Sequence, residues 1–492
     1  MSKAAAFPPL RAVAASLAVL AAATAMLMWA AVFNRFPLIF PDSGAYLGIA
    51  LAREYAIDRS SMYGFLLKPI VTAAPGVAGL WLAIVLQAAV VAAVLIAAGR
   101  RLDPAGRAGP VLACIAIAAC LTSLPWHAAQ FMPDALTGPV LLLAWLAASR
   151  DPGADGAPTL WLAAAVAATT HYTHLVLLGG AAAVTILAHA AMGLSWRACA
   201  RRALAALLAV AAVAGTLVAA NALFLGRASV SPMGSLFLYA RLNEDGLIPA
   251  WLDRHCGRGA PERLCATRAI MPRDSQKLLW SGDSPIHDAV WKERTGERWQ
   301  WIDAMAEANR GAIAEAPMAF LHHGLRGGLH QLASFAVLDD ECPVGCRSLD
   351  GGVNYSLGRH LPEAVASLQA SRQVEDSNGR PLLRAVTTPV AVLALLLLPL
   401  ALTMAWRRRD GAAASLLAVV GAGLLANAAM AGALSDVHDR YQSRVVWLAP
   451  FALLLVGLRW WRRAKPSVFA TDDESDRCPR GGSACPAEAK FP

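Results

Sequence analysis

The chain has 492 residues, of which 57% are hydrophobic and 16% charged, with a formal net charge of +9 and a mean hydropathy of +0.47. Soluble domains run nearer a quarter charged residues, so the composition excludes an ordinary soluble enzyme. Between Arg227 and Arg380, 17 Lys and Arg face 19 Asp and Glu, so the basic excess lies elsewhere. Most of it falls in short loops between apolar runs, which is a topology signal and argues against nucleic-acid binding.

The first apolar run, Ala12 to Phe33, follows Lys3 and Arg11. Ala-Thr-Ala at 23–25 resembles a signal-peptide cleavage site, but the run continues too far for an ordinary signal sequence, so an uncleaved first helix is expected. Further runs are expected at about 69–98, 109–124, 135–148, 160–170, 175–192 and from just past Arg202 to about Leu225, then 382–406, 412–434 and 445–458. In lipid the backbone must satisfy its own hydrogen bonds, so these runs are helices. The fold class is therefore all-α and polytopic, with about 10 transmembrane helices and a mainly helical soluble domain between helices 7 and 8.

Four divisions follow. Residues 1–225 form an N-terminal membrane domain with outer loops 34–68 and 122–134, and 226–381 form an extracytoplasmic domain. Residues 382–466 form a second membrane domain, and 467–492 a disordered tail. Basic clusters at 3–11, 100–107, 150, 197–202, 407–409 and 459–465 share one side, and the loop 122–134 opposite has no Lys or Arg. By the positive-inside rule both termini are cytoplasmic. Arg35, Arg53, Arg59 and Lys68, in the first outer loop, run against this rule.

The outer domain carries Cys256, Cys265, Cys342 and Cys346. On the oxidising side of a membrane, close spacing favours the pairs 256–265 and 342–346 over a zinc site. Trp299 to Leu338 reads as helical with a break at Pro317, either as an interfacial helix on the bilayer or as an ordinary packed helix. Asp339-Asp340-Glu341 offers hard oxygens to a divalent cation, or forms a solvated acidic turn.

Candidate chemistry gathers in the outer loops. In Phe40-Pro41-Asp42-Ser43-Gly44-Ala45-Tyr46 an acidic residue follows the first helix. Asp42 or Ser43 can cap a short interfacial helix to about Tyr55, and a carboxylate held at the membrane surface can also act in catalysis; the two roles are compatible. Phe131-Met132-Pro133-Asp134 opens the fourth helix, with Asp134 placed to cap it. His171 and His174 share a face if helical, as ligands or as polar packing residues. His438, Arg440, Tyr441 and Arg444 precede the last helix. Guanidinium forks suit a lipid phosphate, and they also suit general headgroup anchoring. There is no Walker loop, HExxH, GxSxG or Rossmann glycine signature in context.

An outer-loop Asp just past the first helix, a second loop with Pro-Asp, a short fifth helix and a large later outer domain resemble the GT-C superfamily of membrane glycosyltransferases. Its relatives include the protein O-mannosyltransferases and the bacterial aminoarabinose transferases of lipid A. The resemblance covers the topology of the membrane part. It implies a polyprenyl-phosphate-linked sugar as donor, a lipid, glycan or protein as acceptor, membrane lipids as surroundings, and a bacterial cytoplasmic membrane as location. Asp42, with Asp134 as the second carboxylate, matches the acidic catalytic elements. Arg440 and Arg444, helped by His438 and Tyr441, match the late phosphate-binding residues. Ser43 follows Asp42 where the family places Glu or an Asp-x-Asp pattern, which leaves a divalent cation open. A lipid-glycan transporter or flippase, or a non-catalytic partner in envelope assembly, is the alternative. A transporter should carry its charges mid-span, whereas here they gather at one face.

Overall fold

The computed structural model describes residues 10–52, 54–104, 106–292, 296–337, 352–375 and 379–464. Helix α1 (Leu10–Asn34) has neither Gly nor Pro in its length. It ends where Arg35 turns into the left-handed region at φ 67°, with the Asn34 amide donating to the Phe36 carbonyl at 2.8 Å. Two short helices follow, α2 (Ser43–Ala52) and α3 (Met62–Val71), then α4 (Val77–Leu102), α5 (Ala108–Leu121) and α6 (Leu124–Ala128). A 3-10 turn, Pro133–Leu136, leads into α7 (Thr137–Ala148); α8 (Ala157–Thr169), α9 (Tyr172–Ala191) and α10 (Trp196–Leu225) complete the first half.

The segment expected to be the outer part holds α11 (Gly234–Glu244), α12 (Leu247–His255), α13 (Glu262–Thr267), α14 (Ser275–Trp280), α15 (Glu297–Glu315) and α16 (Pro317–Ala333). After α17 (Gly352–His360) and α18 (Pro362–Gln369), the chain returns through α19 (Arg380–Arg407), α20 (Gly411–Leu434), α21 (Asp439–Val446) and α22 (Leu448–Ala464). Among the described residues no β-strand forms; one isolated parallel bridge joins Leu38 to Gln130.

Among the described residues, seven segments are long and apolar enough to cross a membrane: α1, α4, α9, α10, α19, α20, and α21 with α22 together. The expected run 69–98 is divided, because α3 stops at Val71 and α4 begins only after Gly76, at φ +56°. The expected runs 109–124, 135–148 and 160–170 do become helices. They are short: α8, at 13 residues, rises about 20 Å at 1.5 Å per residue, less than the roughly 30 Å of a bilayer core.

Two hydrophobic cores form. One, built from residues between Met233 and Ala312, lies wholly in the outer part. The other joins the membrane helices and also takes in Phe335, Val337, Leu357, Leu368 and Val374. The expected domain 226–381 is thus divided: its first part has its own core, and its last part packs with the membrane helices. Cys256 and Cys265 form a disulfide with Cα atoms 5.6 Å apart. Cys342, Cys346, the acidic turn 339–341 and the tail 467–492 lie outside the described residues.

The helix expected across Pro317 breaks at Ala316, between α15 and α16. One face of α16 carries glycines that let it touch α20 backbone to backbone: a Cβ on Gly327 would sit 2.1 Å from the Gly432 carbonyl oxygen. Met318, Leu321, Leu325 and Leu329 are exposed. The helix therefore packs on α20 and also presents the apolar stripe expected of an interfacial helix.

Candidate functional site

The loops after α1 and after α5, expected to be the first and second outer loops, meet backbone to backbone. The Leu38 amide donates to the Ala129 carbonyl at 3.1 Å, and the Phe131 amide to the Leu38 carbonyl at 2.8 Å. Gln87, buried on α4, donates to the carbonyls of Ala128 and Gln130 at 3.0 and 2.8 Å and accepts from the Tyr63 hydroxyl at 2.6 Å. From the stretch after α18, the Gln373 side chain pairs with both backbone groups of Ile39. The Ser356 hydroxyl donates to the Gly44 carbonyl at 2.9 Å. The Asp42 loop is thus held by three separate stretches of chain.

This frame brings Asp42 and Asp134 to the same arginine. Arg440 Nη1 lies 3.1 Å from Asp42 Oδ2, and Arg440 Nε lies 3.6 Å from Asp134 Oδ2. Arg444 Nη1 donates to Asp134 Oδ1 at 2.6 Å and its Nη2 to Asn427 Oδ1 at 2.9 Å. On the other side, Arg59 Nη1 lies 2.9 Å from Asp42 Oδ1, and the Arg59 guanidinium also grips Asp58. The carboxylates 42, 58 and 134 and the guanidiniums 59, 440 and 444 balance in charge. Arg440 is stacked 3.9 Å from the Phe40 ring centroid, and Tyr441 lies 5.1 and 5.3 Å from Arg440 and Arg444.

Exposure differs along this chain of charges. The Asp134 and Arg444 side chains are 1% and 2% exposed, whereas that of Asp42 is 27% exposed. Asp42 is therefore the more accessible of the two carboxylates, and Asp134 is buried with Arg444. Burial raises the Asp42 carboxyl, but Arg59 and Arg440 outweigh it and leave the group below its ordinary value. Burial likewise opposes the Arg59 charge, and Asp42 and Asp58 more than restore it.

The Asp42 carboxylate, directly before α2, is engaged by Arg59 and Arg440, and Asp134 is the second residue of its 3-10 turn, whose cap position is Met132. Arg440 and Arg444, expected to face a lipid phosphate, both bond carboxylates here. His171 caps α9 by accepting from the Thr173 amide at 3.2 Å. His174 is fully buried against Thr137 and Thr170, a packing role. His438 bonds Gln276 at 3.0 Å and lies 3.6 Å from Asp436. Tyr46, the last residue of the 40–46 stretch, is buried beneath Arg59. Among the described residues no group of three or more His, Cys, Asp or Glu converges as a metal site.

Arg59 and Asp58 are the functional candidates that sequence reasoning missed. For Arg59 a signal was available: it belongs to the group of basic residues that break the expected positive-inside pattern, and such an exception asks for a local reason.

An apolar cavity of about 590 Å³ opens beside the site between α3, α4, α7 and α8, lined by Leu67, Leu86, Val90, Leu143 and Val166 among others. Tyr63 and Gln87 line the same cavity. Tyr63 also packs edge-on against Tyr46 at 5.0 Å and Phe131 at 6.0 Å, linking the cavity to the charged cluster. No family model, curated protein or solved structure matches the chain.

Proposed function

We propose that this chain is a membrane glycosyltransferase of the GT-C kind, moving a sugar from a polyprenyl phosphate to a cell-envelope acceptor. The observation that carries the reading is Asp42, a partly exposed carboxylate clasped by Arg59 and Arg440 next to an apolar, chain-sized cavity. In this reading the donor's isoprenoid lies in the cavity, and its phosphate approaches Arg59 and Arg440. The acceptor hydroxyl oxygen bonds to the anomeric carbon while the bond from that carbon to the phosphate oxygen breaks, inverting the centre. The proton goes to Asp42. The phosphodiester leaves as a monoester with one more negative charge, and Asp42 loses one, so the charge held by the arginines is unchanged. Guanidiniums that shift from carboxylate to phosphate stabilise the leaving group and raise the basicity of Asp42 at the same moment.

The finer topology belongs to this proposal. Counting α5, the 133–148 segment and α8 as short or tilted crossings gives ten spans, with both termini cytoplasmic and the Asp42 site on the outer face of a bacterial cytoplasmic membrane. A lipid transporter is the second reading, favoured by the cavity's continuation toward the opposite helix ends, where a second cavity shares Ala93, Ala97 and Leu160 with it. Reconstitution with a radiolabelled polyprenyl-phosphate sugar separates the two. Transfer to an acceptor that disappears in Asp42→Asn supports the enzyme. Donor movement across the bilayer that survives Asp42→Asn, with no transfer in either protein, overturns it.

A further inference from the structure

The second cavity, about 660 Å³, lies at the helix ends farthest from Asp42. From Gln87 to Arg100 along α4 is about 20 Å at 1.5 Å per residue. Its walls are of two kinds. Leu20, Ile96 and Leu160 are apolar and continue the first cavity, whereas Arg100, Arg101 and Arg150 are basic and sit with Asp151 at the rim. The nearby acids are already engaged: Asp103 by Arg462, Asp151 by Arg201, and Asp410 by Arg459 and Arg463. No described residue bonds the buried Nε of Arg101. Arg150, Arg202 and Arg459 add their positive fields to its own. Arg150 reaches only a backbone carbonyl, that of Asp155, at 3.0 Å.

Uncompensated guanidiniums at the mouth of an apolar cleft between helices fit an anionic lipid headgroup with its chains in the cleft. We infer that this cavity binds an anionic glycerophospholipid, with the phosphodiester on Arg100, Arg101 and Arg150 and an acyl chain along Leu20, Ile96 and Ala97. Asp151 decides the headgroup class. Beside a carboxylate a singly charged diester is tolerated better than a doubly charged monoester, and a headgroup bearing hydroxyls can donate to Asp151. Phosphatidylglycerol meets both conditions. The inference does not depend on the reading of the Asp42 site.

The test is lipid retention by the purified full-length protein, measured by native mass spectrometry after exchange into detergent with phosphatidylglycerol, phosphatidylcholine or polyprenyl phosphate. Wild type should retain phosphatidylglycerol over phosphatidylcholine. Arg101→Gln with Arg150→Gln should weaken that retention by about ten- to a hundredfold, the worth of one or two charge-assisted hydrogen bonds, while Arg197→Gln on the exposed surface leaves it intact. Ala97→Phe, which fills the cleft and spares every arginine, should weaken long-chain phosphatidylglycerol but not its dihexanoyl form. Only variants whose unfolding midpoint in phosphatidylcholine equals that of wild type are compared, and Arg150→Gln alone serves if the double variant fails this check. Equal retention of phosphatidylcholine, preference for polyprenyl phosphate, or retention unaffected by the arginine changes would each overturn the assignment. So would retention that appears only after removal of residues 466–492, which would give the cavity to the chain's own acidic tail.

Discussion

At the scale of single residues, the division between a partly exposed Asp42 and a buried Asp134 predicts opposite phenotypes. Asp42→Asn keeps size and removes the proton acceptor; turnover should fall by about 10²–10⁴ with protein level nearly unchanged, as glycan transfer and expression will show. Asp134→Ala leaves Arg444 buried without its carboxylate. The expected effect is a loss of about 3–5 kcal/mol of stability, read as a lowered unfolding midpoint or failed accumulation. Asp134→Leu combined with Arg444→Met should recover much of that stability but no activity. The sign of the pH effect follows from the lowered Asp42 carboxyl. Its stabilisation is complete above the unfolded value of about 3.9 and disappears as pH falls through the lower folded value. The midpoint difference between wild type and Asp42→Asn should therefore stay level down to about pH 5 and close below pH 4. Asp42, Asp134, Arg440 and Arg444 were legible in the sequence because each is a charge beside an apolar run. Their mutual pairing was not, because nothing in local spacing tells that residue 440 meets residue 42. Arg59 was visible only as an exception.

At the scale of elements, helices were legible from their apolar runs, while their lengths were not. Pro75 and Gly76 split one expected run, and Pro133 starts α7 with a 3-10 turn, local backbone effects that an average over hydropathy hides. The α16–α20 crossing is a further case, since its contact rests on Gly327 and Gly432. A side chain at Gly327 has no room, so Gly327→Leu should separate the helices. Through Gln331, whose side chain bonds both backbone groups of His438, the disturbance reaches the turn that carries Arg440. Both stability and transfer should fall, although no site residue is changed; Gly180→Ala, in open space on α9, is the matched control. The Cys256–Cys265 link ties only the outer core. Thiol labelling of unreduced, unfolded protein should leave Cys256 and Cys265 unmodified, and full labelling of either would contradict the pairing.

At the scale of the whole molecule, the loop after α7 and the outer part lie at opposite ends of the helices. Reporter fusions at Ala154 and Gly282 should therefore report opposite sides of the membrane, Ala154 inside, and the same side for both would overturn the topology. The clamps around Asp42 carry a consequence for synthesis. Ile39 waits for Gln373, 334 residues later, and Asp42 for Arg440, 398 residues later. At 5–20 residues per second, a ribosome delivers Arg440 roughly 20–80 s after Asp42. During that interval Arg59 is the permanent partner already made, and its pairing with Asp42 keeps the carboxylate occupied while the membrane segments accumulate. Maturation is thus closed from the carboxyl end. A nascent chain stalled before α21 would be inserted, largely helical and inert, and supplying residues 379–464 as a separate polypeptide is the way to ask whether the late fragment alone can finish the site.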